Sequence, residues 1–161
     1  MKERLLIVED DQDMLETLGE ILGDAGYEIV AHSDAQEALS LIKNEREALD
    51  LVITDVRMPG VKGDEILFTA RASRAEAPVI VITAFGSVEH AVEMVKAGAY
   101  QYITKPFHSD ELLTTVAEAL ERTALIREQI RMRREMRAAQ TRIIGASRPM
   151  RKLLDIIARA A

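Results

Sequence analysis

Five short, largely apolar runs, at 5–8, 28–31, 51–54, 79–83 and 100–104, limit what this chain can fold into. A run with little or no polar alternation is a strand covered on both faces, which is the mark of a parallel sheet. Between the runs, apolar residues recur every three or four positions, the spacing of an amphipathic helix. Five strands alternating with five helices predict an α/β domain, doubly wound, with a five-stranded parallel sheet. Right-handed crossovers place helices on both of its faces.

The helix signals are specific. Asp11 or Asp13 caps the first helix, whose stripe is Leu15, Leu18, Ile21 and Leu22, and Gly26 stops it. Ser33 or Asp34 caps the second, with Ala38, Leu41 and Ile42 facing inward. A loop at 60–63 precedes a helix over 64–71 carrying Ile66, Leu67 and Ala70. Ser87 caps the fourth, with Ala91, Val92, Met94 and Val95 as its apolar face, ending at Gly98. The fifth begins at Ser109, with Asp110 and Glu111 placed where the helix N-terminus favours acids.

In open sheets of this type a site forms outside the carboxyl ends of the strands. Chemistry-bearing residues cluster there: Glu9 and Asp10 after the first strand, Asp55 after the third, Thr83 closing the fourth and Lys105 after the fifth. A carboxylate can act as nucleophile toward a phosphoryl group, so Asp55 is the expected phosphate acceptor. An incoming phosphoryl adds negative charge to a site already rich in it, which calls for a hard divalent cation such as Mg²⁺. Glu9, Asp10, Asp55 and the backbone carbonyl of Arg57 can supply oxygen ligands. Lys105 offers a charge and Thr83 a hydroxyl to the phosphoryl oxygens, and the small Ala84 leaves room.

The strings Leu6-Ile7-Val8-Glu9-Asp10, Asp55 with Met58-Pro59-Gly60, Thr83-Ala84 and Lys105-Pro106-Phe107 resemble the receiver domain of two-component response regulators. The resemblance covers residues 4 to about 122. It implies a flavodoxin- or CheY-like fold with strand order 2-1-3-4-5, and Asp55 taking its phosphoryl group from a histidine kinase. It implies Mg²⁺ held by Asp10, Asp55, the Arg57 carbonyl and, through water, Glu9. The first acid is Glu9 where the family more often has Asp. The resemblance also implies a switch: Thr83 is drawn to the phosphoryl group and Tyr102 turns inward. That changes the face made by the fourth helix, fifth strand and fifth helix.

The strings Thr83-Ala84-Phe85-Gly86-Ser87 and Gly98-Ala99-Tyr100-Gln101-Tyr102 resemble the nitrogen-regulator (NtrC) subfamily. Ile144-Gly145-Ala146-Ser147 through Met150-Arg151-Lys152-Leu153-Leu154 resembles the opening of the AAA+ domain that activates σ54 polymerase. The expected organisation is a receiver at 1–122, a helical linker at 123–142 and the start of a truncated AAA+ domain at 143–161. The tail from Glu118 to about Arg142 reads as a helical extension of the last helix. Leu125, Gln129, Met132, Met136, Ala139 and Ile143 form a weak coiled-coil seam that suits a homodimer. Ser147 with Pro149 starts a further helix with Met150, Leu153, Leu154 and Ile157 on one face. No G-x-x-x-x-G-K-[ST] loop is present, so contact with ATP, σ54 polymerase and DNA is expected only through other domains of a larger activator.

Charge is divided along the chain. Residues 1–120 hold 10 Lys/Arg against 23 Asp/Glu, whereas residues 121–161 hold 11 against 4. The acidic body argues against nucleic-acid binding by the globular part, and the basic tail reads as a solvated helix surface. The chain has no Cys, no signal peptide and no apolar run long enough for a membrane span, consistent with a cytoplasmic protein. His32, His90 and His108, read as loop, helix and turn residues, share no spacing that suggests a metal or relay site. Two other functions compete. An Asp-nucleophile phosphohydrolase of the haloacid dehalogenase type would need an acid/base Asp two positions past Asp55, where Arg57 cannot donate a proton. A flavin or nucleotide binder would need a phosphate-cradling first turn, which here is acidic.

Overall fold

The structure, a computed structural model, describes residues 1–62, 64–146 and 148–160, with side chains placed for 1–62, 64–144 and 152–159. The expected loop residue Gly63, the helix start at Ser147 and the Met150 side chain lie outside the described residues. The chain divides into two units, Met1–Thr123 and Ala124–Ala161.

In the first unit β1 (Arg4–Val8), β2 (Glu28–His32), β3 (Leu51–Thr54), β4 (Val79–Thr83) and β5 (Gln101–Thr104) form one parallel sheet in the order β2-β1-β3-β4-β5. The parallel sheet is the one the apolar runs predict, and its strand order is the one the resemblance implies. Helices α1 (Gln12–Asp24), α2 (Ala35–Lys43), α3 (Glu65–Ser73), α4 (Val88–Lys96) and the first turns of α5 (Ser109–Ala146) cover it. Alternate strand residues face opposite sides. Leu6, Val8, Val52, Val79 and Val81 pack with Ala38, Leu39, Ile42, Ile66, Leu67 and Met94. Leu5, Ile7, Leu51, Ile53, Ile80 and Ile82 pack with Leu15, Leu18, Leu22, Leu112, Val116 and Ala119. Each fully buried aliphatic side chain contributes about 1.5–3 kcal/mol relative to exposure.

The parallel register brings the strand ends level. Val8 lies opposite Thr54, and Thr83 opposite Thr104. The residues that follow, Glu9, Asp55 and Lys105, therefore emerge at one edge of the sheet.

Caps resolve to one residue each where the sequence offered two. Asp11 accepts from the Met14 N–H at 3.0 Å, and Asp34 from the Gln36 N–H at 2.7 Å. Ser87 accepts from the His90 N–H at 3.1 Å. Two readings need correction. β2 extends to His32, so that residue ends a strand and its ring meets Glu37 at 3.1 Å. On α4 only Met94 of the expected stripe is buried, while Val88, Val92 and Val95 are exposed. The reason is position: α4 meets the sheet at β5, an edge strand, which covers only a narrow strip of the helix.

In the second unit α5 continues without interruption through Gly145 to Ala146, so position 142 falls inside a helix, and α6 (Arg148–Ala160) follows. Leu125, Met132, Met136 and Ile143 are exposed along α5. Arg131 pairs with Glu128 and Glu135 one turn to either side. On α6, Leu153, Leu154 and Ile157 are exposed. Among the described residues no helix is long and apolar enough to cross a membrane.

Candidate functional site

Asp55 is the first residue past β3 and is held from both backbone and side chain. Its N–H donates to the Val8 carbonyl at 3.1 Å, extending the β1–β3 ladder by one residue. The Thr54 hydroxyl donates to the Asp55 carbonyl at 2.9 Å. Asp55 Oδ1 accepts from the Arg57 N–H at 2.9 Å, and Oδ2 accepts from Lys105 Nζ at 3.0 Å. Only 8% of the residue is exposed.

Glu9 is buried still more deeply, at 2% exposure. Its N–H donates to the His32 carbonyl at the end of β2. Oε1 accepts from the Asp11 N–H at 3.2 Å, and Oε2 from Lys105 Nζ at 2.6 Å. Asp10 is exposed beside it. Carboxylate oxygens of Glu9, Asp10 and Asp55 lie within 4.8 Å of one another. Lys105, the first residue past β5, ties two of them together.

The electrostatics follow from this crowding. Burial pushes the Glu9 carboxyl above its usual range, against the opposing pull of its hydrogen bond to Lys105; the nearby Asp55 charge adds to the rise. Burial alone would lower the Lys105 ammonium, but its hydrogen bonds and charge pairing with Glu9 and Asp55 outweigh that and raise it. One ammonium faces three carboxylates, leaving the cluster net negative. A hard divalent cation with oxygen ligands matches both the deficit and the donor set.

Thr83 is fully buried at the end of β4, and its hydroxyl accepts from the Phe85 N–H at 3.3 Å. Its carbonyl accepts from the Lys105 N–H at 2.9 Å, which links the last two strand ends. Tyr102 packs partly buried against the cluster formed by Val79, Val81 and Met94. Its hydroxyl donates to the Phe85 carbonyl at 3.2 Å. Burial raises the Tyr102 phenol, and the Asp55 charge adds to that, with Arg57 opposing. One peptide unit on each side of Phe85 thus touches Thr83 and Tyr102. The structure brings the carboxylates of Glu9, Asp10 and Asp55 and the Lys105 ammonium together. Arg57 reaches Asp55 through its N–H, and the Thr83 hydroxyl meets the Phe85 N–H rather than the acids.

Three features were not anticipated. The Arg57 guanidinium lies 4.1 Å above the Phe85 ring, joining the loop after β3 to the loop after β4. Gly86 is tightly approached by two side chains: a Cβ there would fall 2.6 Å from Thr104 Cγ2 and 3.2 Å from Tyr102 Cε1, so a larger residue would make them shift. His90 pairs with Tyr102, its Nδ1 2.9 Å from the hydroxyl. These groups bound a cleft of about 570 Å³ lined by Arg57, Ala84, Phe85, Gly86, Ser87 and His90. Nothing in the sequence announced the ring contacts, because they depend on how two loops fold over one sheet edge. Gly86 between Phe85 and the Ser87 cap was the only visible sign.

Comparison with known proteins agrees with this geometry. The family model described as response regulator receiver domain matches residues 5–117. The response regulator protein FleR of Pseudomonas aeruginosa is 42% identical over 117 residues, 73% of this chain and 24% of its own length. The crystal structure of NtrX from Brucella abortus superposes with a TM-score of 0.75 at 32% identity, covering 100% of this chain and 35% of that one. The beryllofluoride-activated NtrC4 receiver domain dimer superposes with a TM-score of 0.69 at 32% identity, covering 74% of this chain and 98% of that one. The chain spans between about a quarter and about half the length of the first curated relatives it matches.

Proposed function

This chain belongs to the response regulator receiver domain family, and from that premise we propose that Asp55 accepts a phosphoryl group from the phosphohistidine of a histidine kinase. A carboxylate oxygen of Asp55 forms the new P–O bond, the P–N bond to the kinase histidine breaks with its electron pair staying on nitrogen, and that ring leaves as neutral imidazole with a proton from its other nitrogen or from water. The observation that carries the reading is the Lys105 bridge, with Nζ 2.6 Å from Glu9 and 3.0 Å from Asp55. It holds a fixed positive charge beside the nucleophile where phosphoryl oxygens arrive.

Asp10, Asp55 and the Arg57 carbonyl would hold Mg²⁺. Both Glu9 oxygens are already engaged, which suits an indirect role through water. When bound, Mg²⁺ supplies charge neutralisation for the equatorial phosphoryl oxygens. Arg57 stacks its guanidinium on Phe85 and offers no proton, which argues against a general phosphohydrolase. Family members are signalling regulators rather than enzymes with an external substrate.

The output route runs through Phe85. Moving the Thr83 hydroxyl toward a phosphoryl oxygen releases the Phe85 N–H it now accepts. The same residue's carbonyl anchors Tyr102. Phosphorylation therefore reshapes the α4–β5–α5 face, where Val88, Val92 and Val95 are exposed. Dimerisation through that face, or through the exposed α5 seam of Leu125, Met132, Met136 and Ile143, transmits the signal. In this reading residues 1–122 are the receiver, 123–142 the linker and 143–161 the opening of an AAA+ domain. Contact with σ54 RNA polymerase and DNA then belongs to that domain and others, in the cytoplasm.

The test is direct. The chain is incubated with Mg²⁺ and acetyl phosphate, and intact mass is measured. Wild type gains one phosphoryl group and Asp55→Ala gains none. No adduct on wild type, or the same adduct on Asp55→Ala, overturns the reading.

A further inference from the structure

We propose that His90 is a positioning residue of the switch: its Nδ1–H donates to the Tyr102 hydroxyl and holds that side chain over the loop after β4. The inference deepens the Thr83–Tyr102 reading above and rests on it.

The argument begins with hydrogen bookkeeping. The Tyr102 hydroxyl has two polar neighbours, the Phe85 carbonyl at 3.2 Å and His90 Nδ1 at 2.9 Å. A carbonyl can only accept, and a phenol has one hydrogen to give. With that hydrogen donated to Phe85, the phenolic oxygen accepts, and His90 Nδ1 is the donor. The geometry thus assigns the Nδ1–H form to His90 and a directed chain from His90 through Tyr102 to the Phe85 carbonyl.

The surroundings of His90 make the arrangement fixed rather than incidental. Its own N–H is capped by Ser87 Oγ at 3.1 Å, so its backbone is set by the first turn of α4. Its ring meets the Tyr102 ring edge-on, with centroids 5.7 Å apart and planes at 78°, a favourable aromatic geometry. Gly86 lets the Tyr102 ring come close, since a Cβ there would sit 3.2 Å from Cε1 and 3.3 Å from the hydroxyl oxygen. Tyr102 is therefore held by three elements: the loop carbonyl, the α4 imidazole and the gap at Gly86. Two of these, Phe85 and Gly86, lie in the loop that starts at Thr83, and the third lies on the exposed α4 helix. His90 thereby couples the position of Tyr102 directly to α4, without passing through the sheet.

The experiment uses the 161-residue chain labelled with 3-fluorotyrosine, with the Tyr102 signal assigned by Tyr102→Phe. His90→Phe keeps a ring of similar placement and removes the donor. His90→Asn keeps an amide donor near the Nδ1 position and removes the ring. ¹⁹F spectra are recorded with and without beryllofluoride and Mg²⁺. The expected result is a shift of the Tyr102 signal in His90→Phe corresponding to a fall of roughly fivefold in the held fraction relative to the released one, the factor a neutral hydrogen bond supplies. His90→Asn recovers part of that shift. A Tyr102 signal in His90→Phe that matches wild type overturns the proposal, as does a His90→Asn signal displaced as far as His90→Phe. Independently of either variant folding well, the ¹⁵N spectrum of the wild-type His90 ring should show a protonated Nδ1 whose shift moves in Tyr102→Phe; an unprotonated Nδ1, or no movement, overturns it too. If beryllofluoride leaves the wild-type Tyr102 signal in place, it is the Thr83–Tyr102 switch that fails, while the ring ¹⁵N shifts still decide the His90 pairing.

Discussion

Lys105 Nζ lies 2.6 Å from Glu9 Oε2, a contact between residues 96 positions apart that joins the end of the last strand to the end of the first. The same nitrogen reaches Asp55 at 3.0 Å. One side chain thus connects the ends of β1, β3 and β5, and it is the charge on which two buried carboxylates depend.

Lys105→Met leaves Glu9 and Asp55 without their ammonium. A buried charged group that loses its partner costs about 2 kcal/mol or more, so urea unfolding of the metal-free variant at neutral pH should show a lower midpoint. Phosphoryl acceptance from acetyl phosphate should slow by on the order of 100-fold, as when one donor to a developing oxyanion is removed. An unchanged rate would exclude Lys105 from the transfer.

The raised Glu9 carboxyl sets a pH dependence with a definite sign. The folded chain binds that proton more readily than the unfolded chain. Its stabilising contribution is complete below the ordinary value of 4.5 and is lost as pH rises through the higher folded value. The raised Lys105 ammonium contributes below its ordinary 10.5 and is lost above it. Metal-free stability should therefore fall from about pH 4.5 upward and fall again in the alkaline range. Glu9→Gln should remove the acid-side fall, read by thermal unfolding across a pH series.

The proposed Mg²⁺ site on the folded cluster of Glu9, Asp10 and Asp55 is not formed in the unfolded chain, so on that proposal Mg²⁺ should raise the unfolding temperature. At a concentration of about 100 times its dissociation constant the gain is about 2.7 kcal/mol. Asp10→Asn, at an exposed position, should fold normally and lose that gain. A metal response that survives in Asp10→Asn would move the ion elsewhere.

Gly86→Ala places a methyl 2.6 Å from Thr104 Cγ2 and 3.2 Å from Tyr102 Cε1. The Thr104 methyl must rotate away and the Tyr102 ring must shift, at a cost of about 1 kcal/mol. Calorimetry should show the loss, and the fluorotyrosine signal of residue 102 should move even without beryllofluoride.

Met132→Lys with Met136→Lys replaces two exposed α5 residues with good helix formers that repel across a seam. Helix content by circular dichroism should hold. Sedimentation velocity in the presence of beryllofluoride should then report a monomer at concentrations where the proposed wild-type dimer forms. A dimer that persists would assign the contact to the α4–β5–α5 face instead.

Much of the fold was legible because it depends on short-range pattern. Leu5 to Val8, Leu51 to Thr54 and Val79 to Thr83 are runs that only a sheet covered on both faces can bury, and Asp11, Asp34 and Ser87 are caps whose partners lie two or three residues away. The orientation of α4 was less legible. Its apolar residues repeat with helical spacing, yet an edge strand covers only Met94 among them. Spacing tells which residues share a helix face and not how much of that face a neighbour conceals.

The site divides in the same way. The sequence by itself determined that Glu9, Asp10, Asp55, Thr83 and Lys105 stand at strand ends, because a carboxylate or lysine covalently next to a buried run has one place to emerge. Parallel pairing then brings those ends level, and the chemistry follows from residue type. Only the tertiary structure decided the second layer: Arg57 over Phe85, Tyr102 on the Phe85 carbonyl, and His90 on Tyr102. These contacts join side chains from separate loops, a helix turn and an edge strand. Their existence depends on rotamers and on a gap at Gly86, quantities set by packing in three dimensions and carried by no spacing along the chain.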